Sequence, residues 1–279
     1  MLFHRTVPPL FALSLSLACL SACGGGGTGG TGATGTGGNG TGGSGTGGSG
    51  TGGGGTAALC TTPTPVACAD QIILAMNLQA DPAPGLITNT ADAAGWTSKI
   101  DATAGGAFTS TPHSYVYGKF TDQGLTKVSL ADQDSLDSME WDIAFRRYVV
   151  RVNSADSGPS CVQGARVPGA AKYEDVTKMP DALSYHTDDY FTPSCDIIAD
   201  GTGLPDSPAT ALSSYWTYPG CVQMTDHVFV VALADGRHVK LIVDDYYAPA
   251  AQDQCDTTGA IPMSNTGSAN FVIRWQFIQ

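Results

Sequence analysis

Trp141-Asp142-Ile143-Ala144-Phe145-Arg146-Arg147-Tyr148-Val149-Val150-Arg151-Val152-Asn153 is the stretch that decides the fold. It is dense in β-branched and aromatic residues, which suit a pleated, half-buried strand. At a period of two, Trp141, Ile143, Phe145 and Val149 fall on one face and predict a strand over 141–152 with that face buried. Asp142, Arg147 and Arg151 are expected away from it, as ion pairs or loop caps that hold register. On either side lie further segments of the same kind, at 115–120, 127–130, 228–233, 238–243 and 271–278. Between 228–233 and 238–243 stands Ala234-Asp235-Gly236-Arg237, whose Asp-Gly pair predicts a β-hairpin with positive φ at both central positions. One helix is expected, over 68–79, where Ala69, Ile72, Ile73, Met76 and Leu78 make an apolar face. Pro-, Asp- and Ser-rich stretches at 175–184 and 200–209 read as long loops. The class expected is all-β, a multi-stranded antiparallel domain with long loops.

The order W-D-x-A-x-x-R-Y-x-x-R-x-N, followed by Ser157-Gly158, resembles the signature strand of the HmuY family of surface lipoproteins. Trp141, Asp142, Ala144, Arg147, Tyr148, Arg151 and Asn153 carry the resemblance. Tyr115-Val116-Tyr117-Gly118-Lys119-Phe120 resembles the family's early aromatic strand. The Asp235-Gly236 hairpin with Asp244-Asp245-Tyr246-Tyr247 resembles its closing hairpin. The likeness extends over 115–279 and leaves 57–112 as an N-terminal extension. Ala155 departs from it, standing where the family commonly has Gly. The signature residues themselves are expected to be structural.

The resemblance implies capture of haem or a related tetrapyrrole, as a ligand and not a catalytic cofactor, in the service of iron acquisition. It implies axial histidines or methionines from two loops after the signature. The second loop here reads Ser214-Tyr215-Trp216-Thr217-Tyr218-Pro219-Gly220 and has no histidine. The candidate iron ligands are therefore His186, Met224 and His227, with Tyr215, Trp216 and Tyr218 as aromatic pocket walls. His113 and His238 read as ordinary strand or strand-edge residues. The alternative is a surface adhesion or interaction module that has kept the fold and lost the haem ligands.

Catalysis is not expected. No nucleophile elbow, zinc-protease or kinase motif is present. Asp188-Asp189 and Asp244-Asp245 are adjacent carboxylates that a strand would point to opposite faces. Asp200-Gly201-Thr202-Gly203 with Asp206 lacks the spacing and glutamate of a calcium loop.

Upstream, the chain reads as an export and anchoring device. His4 and Arg5 precede an apolar run over 10–20, shorter than the about 20 residues of a membrane span and typical of a signal peptide. Leu20-Ser21-Ala22-Cys23 resembles a lipobox, so residues 1–22 are expected to be cleaved and Cys23 to be lipidated. Residues 23–56 are almost wholly Gly and Thr, a disordered linker of roughly 30 Å r.m.s. span. The remaining 57–279 form one domain. Gly24 after the lipidated cysteine, in place of aspartate, points to the outer membrane, with the head on its periplasmic or cell-surface face.

The net charge of −12 disfavours nucleic acid as a partner. The membrane is engaged through the lipid, and an outer-membrane transporter or a host macromolecule is the expected protein partner. Six cysteines remain in the mature domain: Cys60, Cys68, Cys161, Cys195, Cys221 and Cys255. An even set in an exported domain predicts disulfides. A local Cys60–Cys68 bridge is the expected first pair, and the partners of the other four stay open.

Overall fold

The computed structural model describes residues 59–92, 95–103, 113–204, 207–262, 264 and 266–279. The leader, Cys23 and the Gly/Thr linker lie outside the described residues. Twelve strands are described, all antiparallel, in two main sheets and a short ribbon.

The larger sheet has six strands in the order β1 (Ile87–Ala91), β2 (Trp96–Asp101), β12 (Asn270–Ile278), β11 (His238–Asp245), β10 (Phe229–Ala232) and β7 (Gln163–Arg166). The second has four: β4 (Gly124–Val128), β3 (Val116–Thr121), β5 (Ile143–Arg146) and β6 (Val149–Val152). The ribbon joins β8 (Trp216–Thr217) to β9 (Gln223–Met224). Alternation decides how the sheets meet. Val239, Leu241 and Val243 of β11 and Phe271, Ile273 and Trp275 of β12 enter the main core together with Val116, Phe120, Ile143, Phe145, Val150 and Val152 of the other sheet. The Trp275 ring packs edge-on against Phe120 at 4.8 Å, and its Nε1–H donates to Ser98 Oγ at 2.8 Å.

Two outer layers flank this core, built from residues of opposite parity and from Trp141, which lies ahead of β5 and so does not share the face of Ile143 and Phe145 as expected. Tyr115, Tyr117, Trp141 and Ala144 pack with Ile72, Met76 and Leu78 beneath helix α1 (Ala69–Ala75). Val228, Val230, Ile242 and Ile278 pack with Val167, Tyr173 and Val176 on the far side of the six-stranded sheet. Helix α2 (Asp132–Ser135) is a single turn, and α3 (Pro249–Thr258) follows β11.

The signature stretch is not one strand. It folds into the β5–β6 hairpin, with Arg146 paired to Val149 and a two-residue turn at Arg147-Tyr148. The turn requires a left-handed residue, and Arg147 supplies it at φ 51°. The reversal puts Arg151 inside the protein, fully buried, and not among surface ion pairs. Its Nε–H and Nη2–H donate to the hydroxyl and carbonyl of Ser157 at 2.9 and 2.6 Å. Its guanidinium lies over the rings of Tyr115 and Trp141. Asp142, likewise buried, accepts the Phe120 N–H at 2.9 Å. Asn153 donates to the carbonyls of Trp141 and Ser138, both at 2.9 Å.

Other expectations need correction. The β10–β11 hairpin is present, but Gly236 alone takes positive φ, at 84°. The Leu233 carbonyl accepts from Gly236 N–H, and Leu233 N–H donates back to Arg237. This is a longer loop closed by one left-handed glycine. Helix α1 stops short of 79 because Asn77 turns left-handed at φ 48°. Within the stretch ahead of the family resemblance, β2 is hydrogen-bonded between β1 and β12, inside the main sheet. Helix α3 was not expected, since its sequence has no apolar stripe. Its ends nonetheless carry Pro249 in the first turn and a left-handed Gly259 just past the last.

Two disulfides are present among the described residues, and neither is local. Cys68 bonds Cys195, 127 residues on, which overturns the expected Cys60–Cys68 bridge. Cys68 sits at the head of α1, and the helix packs against the Tyr190-Phe191 segment, so the nearest sulfur belongs to the following loop. Cys221 bonds Cys255 and ties the β8–β9 ribbon to α3.

Candidate functional site

The largest cavity described, about 610 Å³, lies on the outer face of the six-stranded sheet. Its floor is Ile242 and Asp244 of β11 and Arg274 of β12, side chains that alternation turns away from the main core. Its roof is the 169–174 segment with Lys172, Tyr173 and Glu174, and its end wall is 225–228, which includes His227. The volume falls within the roughly 300–1,000 Å³ of small-molecule sites.

Arg274 organises the floor. Its Nε–H and Nη2–H grip both oxygens of Asp244 at 2.7 and 3.0 Å, and Nη1–H donates to Glu174 at 2.6 Å. That bond to Arg274 holds the Glu174 carboxyl below its ordinary range. The Tyr173 ring is flanked by the Arg274 guanidinium at 4.7 Å and the Lys240 ammonium at 3.9 Å. Lys240 donates to the carbonyls of Tyr173 and Val176, both at 2.8 Å, which pins the roof to β11. Burial lowers the Lys240 pKa and raises that of the Tyr173 hydroxyl.

His227 has a defined tautomer. Its Nδ1–H donates to the Ser214 carbonyl at 2.8 Å, so the neutral ring carries its lone pair on Nε2. A backbone carbonyl on one ring nitrogen is how proteins ready the other for a metal. This feature came from tertiary packing. No sequence signal placed Ser214 beside His227, and Tyr173 and Arg274 had no motif to mark them.

His186 is elsewhere. It lies in a polar cavity of about 450 Å³ with Gln163, Tyr185, Thr187, Asp189 and Thr210. Its backbone bridges to Gly164 in both directions, and its Nε2 is 3.4 Å from Ser184 Oγ. Met224 is buried in the main core, across the ribbon from Trp216. The three expected iron ligands therefore do not converge.

The aromatic loop also differs from expectation. Tyr215 and Trp216 are core residues, each 2% exposed, and line none of the described cavities. Tyr215 donates its hydroxyl to the Tyr148 carbonyl at 2.6 Å, and Trp216 packs on Tyr148. Tyr218 alone is exposed, at 39%, edge-on to Trp216. His238 pairs within β11 opposite Ala232 and Ile278, as expected of a strand residue.

The carboxylates are structural. Asp188 is buried and Asp189 exposed, though neither lies in a strand. Asp188 accepts from Val152 N–H, Ala211 N–H and the Ser157 hydroxyl. Burial nevertheless pushes its carboxyl up to about 6. Asp200 is satisfied by Thr202 and Ser207, and Asp206 lies outside the described residues. Among the described residues no group of three His, Cys, Asp or Glu could hold a metal ion. Nor is any described helix long and apolar enough to cross a membrane.

The sequence model of the HmuY protein family matches residues 112–259, just over half of the chain. The chain belongs to the HmuY family. Solved structures similar to it include a candidate HmuY-like heme-binding protein of Bacteroides vulgatus, at 20% identity and TM-score 0.42, covering 68% of this chain and 95% of that one. A candidate lipoprotein of Bacteroides fragilis is 16% identical, TM-score 0.38, over 67% and 91%. An apo HmuY analogue of Tannerella forsythia is 15% identical, TM-score 0.37, over 71% and 99%. No curated protein matches this chain.

Proposed function

We propose that this HmuY-family chain is a non-enzymatic surface lipoprotein that takes haem, or a related tetrapyrrole, as cargo in the cavity beside His227. Residues 1–22 are its signal peptide, Cys23 its lipid anchor and 23–56 a tether for the head, displayed from the outer membrane. The observation that carries the reading is the His227 Nδ1–H bond to Ser214, which leaves Nε2 as a ligand atom at the edge of a cavity of suitable size. Ala170, Ala171, Val228 and Ile242 offer apolar surface to a macrocycle. Lys172 and Arg274 suit its carboxylates, with the exposed Glu174 as the group a ligand carboxylate would displace. His227 takes the place that the sequence alone assigned first to His186.

The test is a titration of the protein with ferric haem, followed in the visible spectrum. The expected result is a saturable Soret shift at one equivalent, abolished by His227→Ala and kept by His186→Ala and Met224→Ala. A broad, unsaturable spectrum would refute it. The second reading, an interaction module without haem, is favoured by one observation: His186, His227 and Met224 occupy three separate environments, so no pair of axial ligands is assembled.

A further inference from the structure

Among the described residues two cysteines remain outside the disulfides, Cys60 and Cys161. They are distant in sequence, yet the fold brings their segments together: the antiparallel pairing of Gln163 with Ala232, run on by two residues, leads to Cys161 and Ala234. The backbone on both sides holds them there. Cys60 N–H donates to the Ala234 carbonyl at 3.0 Å, in the β10–β11 turn. Thr64 N–H donates to the Pro159 carbonyl at 2.8 Å, two residues before Cys161. Cys161 is itself fixed by a bridge to Ser154, beside the signature hairpin. The two thiols are thus positioned by four segments of backbone and not by a chance approach of a loose end. The other two pairs in the same domain are already joined as disulfides, so the compartment in which the head folds is oxidising.

We infer that Cys60 and Cys161 close a third disulfide, a clasp that fastens the segment ahead of α1 to the β6–β7 connection and the β10–β11 turn. The reaction is thiol–disulfide exchange with a disulfide oxidant, either a small-molecule disulfide or a disulfide-carrying oxidoreductase. One thiolate attacks the oxidant and forms a mixed disulfide. The second thiolate displaces it, forming the Cys60–Cys161 bond. The two cysteines lose two protons and two electrons, and the oxidant leaves as two thiols. Burial pushes the Cys161 thiol up to about 12, with the neighbouring Cys60 thiol adding to the rise. The pair is also topologically distinctive: the 60–161 span overlaps the 68–195 span, so the two crosslinks interlock the first half of the domain.

The inference is tested on the exported full chain, alkylated without reductant, unfolded, digested and analysed by mass spectrometry. The expected product is a crosslinked pair of peptides containing Cys60 and Cys161, lighter by two hydrogen atoms than its parts. It should disappear on reduction. In the Cys161→Ala variant, Cys60 should become reactive to a thiol label in the folded protein, while the 68–195 and 221–255 peptides persist. The inference is overturned if Cys60 and Cys161 are both recovered alkylated without reductant. Recovery of Cys60 joined to Cys68, or to another chain, would also overturn it. Limited proteolysis gives an independent reading: cleavage within 59–67 should be slower in the unreduced protein than in Cys161→Ala.

Discussion

Removing the Cys68–Cys195 bridge should act almost wholly on the unfolded chain. Both cysteines are only half-buried, so replacing them by alanine takes little packing from the folded state. The span of 127 residues sets the loss of loop-closure entropy. The chain-entropy relation gives about 5 kcal/mol for a loop of that length. In a domain of this size that lowers Tm by roughly 10–20 °C. The double variant Cys68→Ala, Cys195→Ala should be made in a Cys60→Ala background, so that an overlapping 60–161 crosslink does not mask the loss. Urea unfolding followed by the fluorescence of the buried Trp141, Trp216 and Trp275 reports both quantities needed. The midpoint should fall and the m-value should rise, because the uncrosslinked chain expands and exposes more surface. A cost under about 2 kcal/mol with an unchanged m-value would refute the reasoning. It would mean that α1 is held by Ile72, Met76 and Leu78 alone.

Asp188 should make the protein more stable at mildly acidic pH. Its folded carboxyl is raised by burial from 3.8 to about 6, so the folded state holds a proton that the unfolded state has released. That contribution is largest near pH 4 and is lost as pH rises to about 6, some ~3 kcal/mol in all. The difference between wild type and Asp188→Asn in urea midpoints at pH 4 and pH 7 isolates it, and a difference that does not change with pH refutes it. Gly158→Ala places a Cβ 2.2 Å from Asn153 Oδ1 and 3.0 Å from the Trp141 ring. It should cost about 1–3 kcal/mol in a thermal melt, and an unchanged Tm would show that the signature corner is not tightly packed. Arg274→Gln leaves Asp244 and Glu174 facing the cavity without their cation. On the proposed reading, in which this cavity takes haem, affinity for haem should fall about tenfold, which a titration beside the wild type measures.

The class of fold was legible in the sequence, because period-two alternation is a local signal. The stretches at 115–120, 228–233, 238–243 and 271–278 correspond to β3, β10, β11 and β12 within a residue or two. The order of residues from Trp141 to Asn153 points to the family by itself. The same local signal misread what depends on a change of direction. Arg147 bends the signature into a hairpin at positive φ, a conformation its residue type does not announce.

Tertiary structure alone decided the pairings and the site. Residues 96–101 became a central strand, β2, by pairing with β12 on one side and the edge strand β1 on the other, not because their own pattern was strong. Cys68 found Cys195 and left Cys60 beside Cys161 through the docking of segments far apart in the chain. Tyr215 and Trp216 looked like pocket walls and are core, while Tyr173 and Arg274 carried no mark and line the cavity. Alternation tells which side chains share a face. Which face meets another, and so which histidine finds a carbonyl to orient it, is set by long-range packing that no single stretch of sequence contains.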